Sequence, residues 1–306
     1  MKLEGIHHIT AITGDAQRNL DFYAGTLGLR MVKKTVNQDA PSVYHLFYAD
    51  EQGSPGADLT FFEFRGARQG RAGAGMVHRI GWRVGSPEAL DFWSERLAAA
   101  GHESEREGDR LRFRDPEGLE HELGVVQTDD PPLIADHPEV PAEHALRGFD
   151  FARAYSADPT RSAPLLDQAL EFEPVVDGWE ARGSERGGSW HYDEPPAEPG
   201  IEGAGTVHHI AWASQMDEHE AWGERAREAG ARATPVIDRF WFRSIYFREP
   251  SGVLFEVATL GPGFGVDEDP EHLGEALILP PFLEGQREAI EAELVPITNP
   301  RVAVPS

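Results

Sequence analysis

The 306-residue sequence contains no cysteine. That absence excludes disulfides and thiolate metal sites, and leaves imidazole and carboxylate as the strong metal donors. Lysine is nearly absent too: Lys2, Lys33 and Lys34 stand alone among 28 basic residues, against 53 acidic ones, for a net charge of −25. A surface this acidic repels phosphate backbones, so nucleic acid is excluded as a partner. It also repels itself at low salt. Screening in a high-salt cytoplasm would relieve that repulsion, so a halophilic source is expected, with ordinary acidic solubility as the plain alternative. No apolar run approaches the roughly 18 residues of a membrane span. No charged-then-apolar leader opens the sequence, which points to a cytoplasmic protein. Phosphate-binding glycine loops, serine nucleophile elbows and zinc-protease helices are missing as well.

What the sequence does contain is repetition. Four stretches share the character of an opening strand: Gly5 to Asp15, Met76 to Ser86, Leu146 to Asp158, and Thr206 to Met216. A helix-like segment follows each, with apolar residues at helical spacing such as Leu90, Trp93 and Leu97. Gly28, Gly101 and Gly230 then stand where a helix end favours a left-handed residue. Each unit closes on strand-like runs. Phe113-Arg114-Asp115-Pro116-Glu117-Gly118 matches Phe247-Arg248-Glu249-Pro250-Ser251-Gly252 just ahead of the last strand, as a Pro-Gly turn should. The fold predicted is α+β: four βαβββ modules in two tandem domains, each a curved, cup-like mixed sheet flanked by helices. Residues 1–130 would hold the first pair of modules and 146–262 the second. A linker rich in Asp and Pro (131–145) would join them, with a tail and short helix over 263–306.

Two of the opening strands carry paired histidines, His7-His8 and His208-His209, and the last strand carries Glu256 between Phe255 and Val257. Successive residues of a regular strand face opposite sides, so one histidine of each pair could join Glu256 on a single metal. The second unit has His78-Arg79 where the fourth has His208-His209, and its Glu122 aligns with Glu256. The third unit offers only Phe149 or Asp150 near that place. One metal per chain is expected. The other nine histidines, His45 among them, are read as structural or surface residues, and the Trp and Phe residues mostly as core.

Paired βαβββ units with His early in one strand and Glu late in another resemble the vicinal oxygen chelate superfamily. Within it, several stretches are similar to the hydroquinone-type ring-cleaving dioxygenases. They are Ile6-His7-His8-Ile9-Thr10, Lys33-Lys34-Thr35-Val36-Asn37, Tyr44 to Asp50, and Leu279-Pro280-Pro281-Phe282. The resemblance implies metal ligands His8, His209 and Glu256, and supporting roles for His7, Thr10, His208, Arg239 and Tyr246. It implies Fe(II) as cofactor, with Mn²⁺, Zn²⁺ or Ni²⁺ as alternatives, and an aromatic diol and O₂ as substrates. Two imidazoles and a carboxylate on one face of Fe(II) leave positions open for diol and O₂ together. Tyr246, His7 and His208 are candidates for proton transfer, and Arg239 for stabilising a phenolate. The rival reading is a glyoxalase-type isomerase. It usually wants a fourth protein ligand, for which Glu63 is the candidate. A metal-free binding protein for aromatic compounds is the non-catalytic alternative. Scaffolds of this kind often pair, so a homo-oligomer is an open expectation.

Overall fold

The computed structural model describes residues 1–301. Each of the four repeats contributes four strands. The first unit holds β1 (Ile6–Thr13), β2 (Arg30–Asn37), β3 (Ala40–Ala49) and β4 (Asp58–Glu63). The second holds β5 (Val77–Val84), β6 (Ser104–Glu107), β7 (Arg110–Arg114) and β8 (Glu120–Val125). The third holds β9 (Phe149–Tyr155), β10 (Glu173–Val175), β11 (Gly178–Arg182) and β12 (Gly187–Asp193). The fourth holds β13 (Val207–Ser214), β14 (Ile237–Asp238), β15 (Arg243–Arg248) and β16 (Leu254–Thr259).

The helices between opening and second strands are short. α1 (Ala16–Leu20) runs into a π-helical turn over Asp21–Thr26, and the third unit has only a 3₁₀ turn and a π-helical turn. α2 (Pro87–Ala99) shows why such segments form. Ser86 caps it by accepting the Ala89 N–H, Pro87 opens it, and Leu90, Trp93 and Leu97 bury one stripe. Gly101 ends it at φ +82°, a conformation that suits glycine. α3 (His219–Glu228) repeats the plan, with Trp222 and Ala226 inward and Gly230 at φ +89° beyond it. The matched Pro-Gly turns are also alike. Asp115 accepts the N–H groups of Glu117 and Leu119, and Glu249 accepts those of Ser251 and Val253.

The strands form two eight-stranded sheets, and here the domain plan needs correcting. One sheet runs β14-β15-β16-β13-β1-β4-β3-β2, joining the first unit to the fourth; the other runs β10-β11-β12-β9-β5-β8-β7-β6, joining the second to the third. The α+β class holds, but neither sheet is built from residues 1–130 or 146–262 alone. The reason is physical: every opening strand presents the same apolar edge, so periodicity cannot say which two meet. In the first sheet β1 lies antiparallel to β13, and each closing strand runs parallel beside the opening strand of its own unit. Beyond Leu260 the tail crosses back to the first unit. Leu277 bridges Lys34 on the outer edge of β2, and α4 (Arg287–Glu293) buries Ile290. Covering that edge removes a row of unpaired backbone groups. Residues 302–306 of the predicted tail lie outside the described residues.

Candidate metal centre

Neither histidine pair sits on a regular strand. The β1–β13 pairing shifts by one residue between Ile6 and His8 and again between Val207 and His209, so His7 and His208 are each the extra residue of a β-bulge. A bulge re-aims side chains and is common beside functional sites. Here it lets adjacent imidazoles touch, which strict alternation would forbid: His7 Nδ1 lies 2.9 Å from His8 Nδ1, and His208 Nδ1 lies 2.7 Å from His209 Nδ1.

The first contact has a direction. His7 Nε2 lies 3.0 Å from the Thr259 carbonyl oxygen, which can only accept, so that nitrogen carries the proton. His7 Nδ1 must then accept from His8 Nδ1–H, which leaves His8 Nε2 as the nitrogen that faces Glu256 and is free to ligate a metal. Burial, then His8, lowers His7 to about 3, and burial, then His209, lowers His208 to about 4, so both rings are neutral. The His208–His209 contact lacks a carbonyl anchor.

His8 Nε2 and His209 Nε2 approach each other to 3.3 Å, and they lie 3.2 and 3.0 Å from Glu256 Oε2. All three residues are buried, Glu256 completely. Burial alone would raise the Glu256 carboxyl, but His8 and His209 outweigh it and hold it well below the usual carboxylate range. Among the described residues, Glu256 has no polar partner other than those two imidazoles. A buried carboxylate with so few partners is costly unless a cation completes it. Two imidazole lone pairs and such a carboxylate, with ligand atoms all within 4.8 Å, fit a divalent transition metal. No other group of three such side chains converges in this way among the described residues.

The ligand atoms open on a small cavity of about 50 Å³. Tyr246, directly across from Glu256 on β15, lines it with its ring edge-on to His209. Burial, then the Glu256 charge, raises the phenol, so it stays protonated and can donate. Arg239, in the loop between β14 and β15, lies against the Tyr246 ring and donates to Asp39 at 2.9 Å. Burial opposes its charge, but Tyr246 and Asp39 raise the guanidinium above its usual range. Phe242 packs on both His7 and His8. Thr10 is fully buried and does not line the cavity; its hydroxyl lies 2.8 Å from that of Thr60. His7 and His208 also stay outside the cavity lining, behind the residues they touch.

The candidate fourth ligand, Glu63, lies elsewhere. Its Oε1 accepts the Ala16 N–H at 3.0 Å. The register identifies the true counterpart of Glu256. Glu256 pairs with Ala211, two residues past His209; two residues past His8 is Thr10, whose partner on β4 is Thr60. Glu63 is three residues beyond Thr60, an odd step, and so points to the other face.

Four polar lining residues escaped the sequence reading: Asn37, Gln38, Asp39 and above all His45. His45 was read as structural. It sits on the cavity wall between Phe47 and Phe62, with Nε2 2.9 Å from the Thr60 hydroxyl. Burial, then His8 and His209, lowers it well below the usual histidine range. The one signal pointing there was its place in the Tyr44 to Asp50 stretch.

Residues 5–123 and 148–257 match the family described as the Glyoxalase/Bleomycin resistance protein/Dioxygenase superfamily. A Bacillus subtilis (strain 168) protein named "Putative ring-cleaving dioxygenase MhqO" is 42% identical over 304 residues, covering 96% of this chain and 97% of that one. The chlorohydroquinone/hydroquinone 1,2-dioxygenase of Sphingobium indicum is 35% identical over 94% of this chain and 95% of its own length. A crystal structure of a "putative dioxygenase" from Bacillus subtilis subsp. subtilis str. 168 superposes with a TM-score of 0.91, at 40% identity, over 98% of this chain and 99% of that one. With its repeated units and its His-His-Glu cluster, the chain belongs to the Glyoxalase/Bleomycin resistance protein/Dioxygenase superfamily, beside relatives named as ring-cleaving dioxygenases.

Proposed function

We propose that the chain is a ring-cleaving dioxygenase for a hydroquinone-like diol, with Fe(II) held by His8, His209 and Glu256. The observation that carries this reading is the ligand count. Among the described residues Glu256 is a buried carboxylate whose only polar neighbours are two imidazole nitrogens, while its counterpart on β4 is the neutral Thr60. Three protein donors leave room for a diol and O₂, and Fe(II) supplies the electron transfer between them that a protein side chain cannot. An isomerase of the glyoxalase type would want a carboxylate where Thr60 stands.

The remaining work falls to the chain. His7 fixes the His8 tautomer that leaves Nε2 free to ligate, and His208 supports His209. Tyr246, kept as a phenol by burial and by Glu256, donates a hydrogen bond to a ligand oxygen and can return a proton to it. Arg239 sets a permanent positive charge at the cavity wall, where a phenolate is favoured. Phe47, Phe62, Trp241 and Phe242 give the cavity its aromatic walls. The low lysine count and the net charge of −25 support a saline setting for this chemistry.

The test is anaerobic loading with Fe(II), followed by oxygen uptake with hydroquinone, methylhydroquinone and catechol at high salt. One O₂ consumed per ring opened supports the reading and ranks the diols. Silence with every diol, together with isomerase activity under Zn²⁺ or Ni²⁺, would overturn it. Metal analysis of the purified protein separates both from a metal-free binding protein.

A further inference from the structure

Thr60 stands where the internal two-fold of the sheet would put a second glutamate, and it is not idle. Its hydroxyl lies 2.8 Å from Thr10 Oγ1 and 2.9 Å from His45 Nε2, forming a chain Thr10–Thr60–His45 that leads from the sheet interior to the cavity wall. Both threonines are fully buried. The His45 ring is fixed by Phe47 and Phe62, with centroids 4.0 and 4.4 Å away. Its other nitrogen, Nδ1, makes no hydrogen bond among the described residues, and the ring that carries it lines the cavity.

The hydroxyl chain can run in either sense without any change of charge. With His45 Nε2–H donating to Thr60, and Thr60 to Thr10, Nδ1 offers a lone pair. With Thr10 donating to Thr60, and Thr60 to His45, Nδ1 carries the proton instead. The first state accepts from a phenolic hydroxyl, and the second donates to a phenolate or carbonyl oxygen. β3 lies two strands from β1, roughly 10 Å at the usual strand spacing. That separation suits a group meeting the far side of a single aromatic ring whose near oxygen is at His8 and His209.

We propose that His45, poised by Thr60, is the specificity-determining residue that hydrogen-bonds the substrate hydroxyl remote from the metal. This rests on the diol reading above and names which part of the diol the wall recognises.

The test is equilibrium binding of hydroquinone and phenol to Zn²⁺-loaded protein without oxygen, in the wild type and in His45→Leu, His45→Gln and Thr60→Val. Wild type should prefer hydroquinone over phenol on the order of tenfold, the worth of one well-made hydrogen bond in a dry site. His45→Leu should erase that preference while leaving phenol affinity within about twofold, the remaining contacts being unchanged. Thr60→Val should reduce it, because His45 loses its anchor, and His45→Gln should restore part of it. Circular dichroism and Zn²⁺ content confirm that each variant is folded and loaded. If His45→Leu keeps the wild-type preference, this inference is wrong and the diol reading stands. If wild type binds neither compound, both fall.

Discussion

The two sheets share one backbone plan and fill it with opposite chemistry. In the first, His8, His209 and Glu256 meet across β1, β13 and β16. In the second, the register puts Phe151 where His8 stands, Arg79 where His209 stands and Glu122 where Glu256 stands. The bulge beside the histidine pair is kept, at His78 and at Asp150. Yet Arg79 and Arg112 reach Glu122 at 3.2 and 2.8 Å, and the Phe151 ring fills the space above Gly81, where even a Cβ would come within 2.3 Å. Glu122 therefore brings its own cations on side chains. Among the described residues Glu256 has no Lys or Arg beside it, only the two imidazoles. The third unit's place is taken by Phe151 rather than the expected Phe149 or Asp150, because β9 starts only at Phe149, later than its apolar run suggests.

The comparison breaks most sharply at the carboxylates. Glu256→Ala should abolish both metal retention and oxygen uptake, read by metal analysis; full metal occupancy in that variant would sink the ligand assignment. Thr60→Glu would supply the fourth donor that the first sheet omits. It should hold Zn²⁺ at least as tightly as wild type while oxygen uptake with hydroquinone collapses. His7→Phe keeps a ring but removes the nitrogens that orient His8, and should cost about 10–100-fold in metal affinity or activity, as loss of such a supporting group does. In the other sheet, Arg79→Met should leave metal content unchanged and lower stability by about 1–3 kcal/mol, the cost of a buried group losing one partner, seen as a lower denaturant midpoint.

A gentler test uses pH. His121 is buried, accepts from Trp82 Nε1 at Nδ1, and meets the Tyr23 hydroxyl at Nε2. Burial lowers it to about 3 from 6.5. The unfolded chain therefore takes up the proton first as pH falls. Stability is full above about pH 6.5 and declines toward pH 3, by about 1.4 kcal/mol per unit for this one group. Melting temperature against pH should show the slope, and His121→Gln should flatten it.

Much of the plan was legible in the sequence, because repetition is a strong signal. The Phe113–Gly118 and Phe247–Gly252 match correctly aligned Glu122 with Glu256, and the opening-strand match of His78-Arg79 with His208-His209 aligned Arg79 with His209. What stayed hidden depends on register. Nothing in the residue types announces the bulges at His7 and His208, which are backbone events. Thr60 and His45 are ordinary strand residues until the parallel pairing of β4 with β1 gives them neighbours. Glu63 misled because a carboxylate near the end of a strand resembles Glu256, and only counting faces from Thr60 separates them. The pairing of first unit with fourth was invisible for the reason that made the repeats visible: the units are alike.

That pairing also sets an order of events. The second sheet joins units adjacent along the chain, across one linker, and can close as soon as the third unit emerges from synthesis. The first sheet must wait for residues some two hundred positions apart, with β1 unpaired until β13 arrives and the edge of β2 bare until Leu277 reaches it. Such distant contacts form late and slowly. The cluster of His8, His209 and Glu256 therefore assembles only after the fourth unit has been made and has paired with the first.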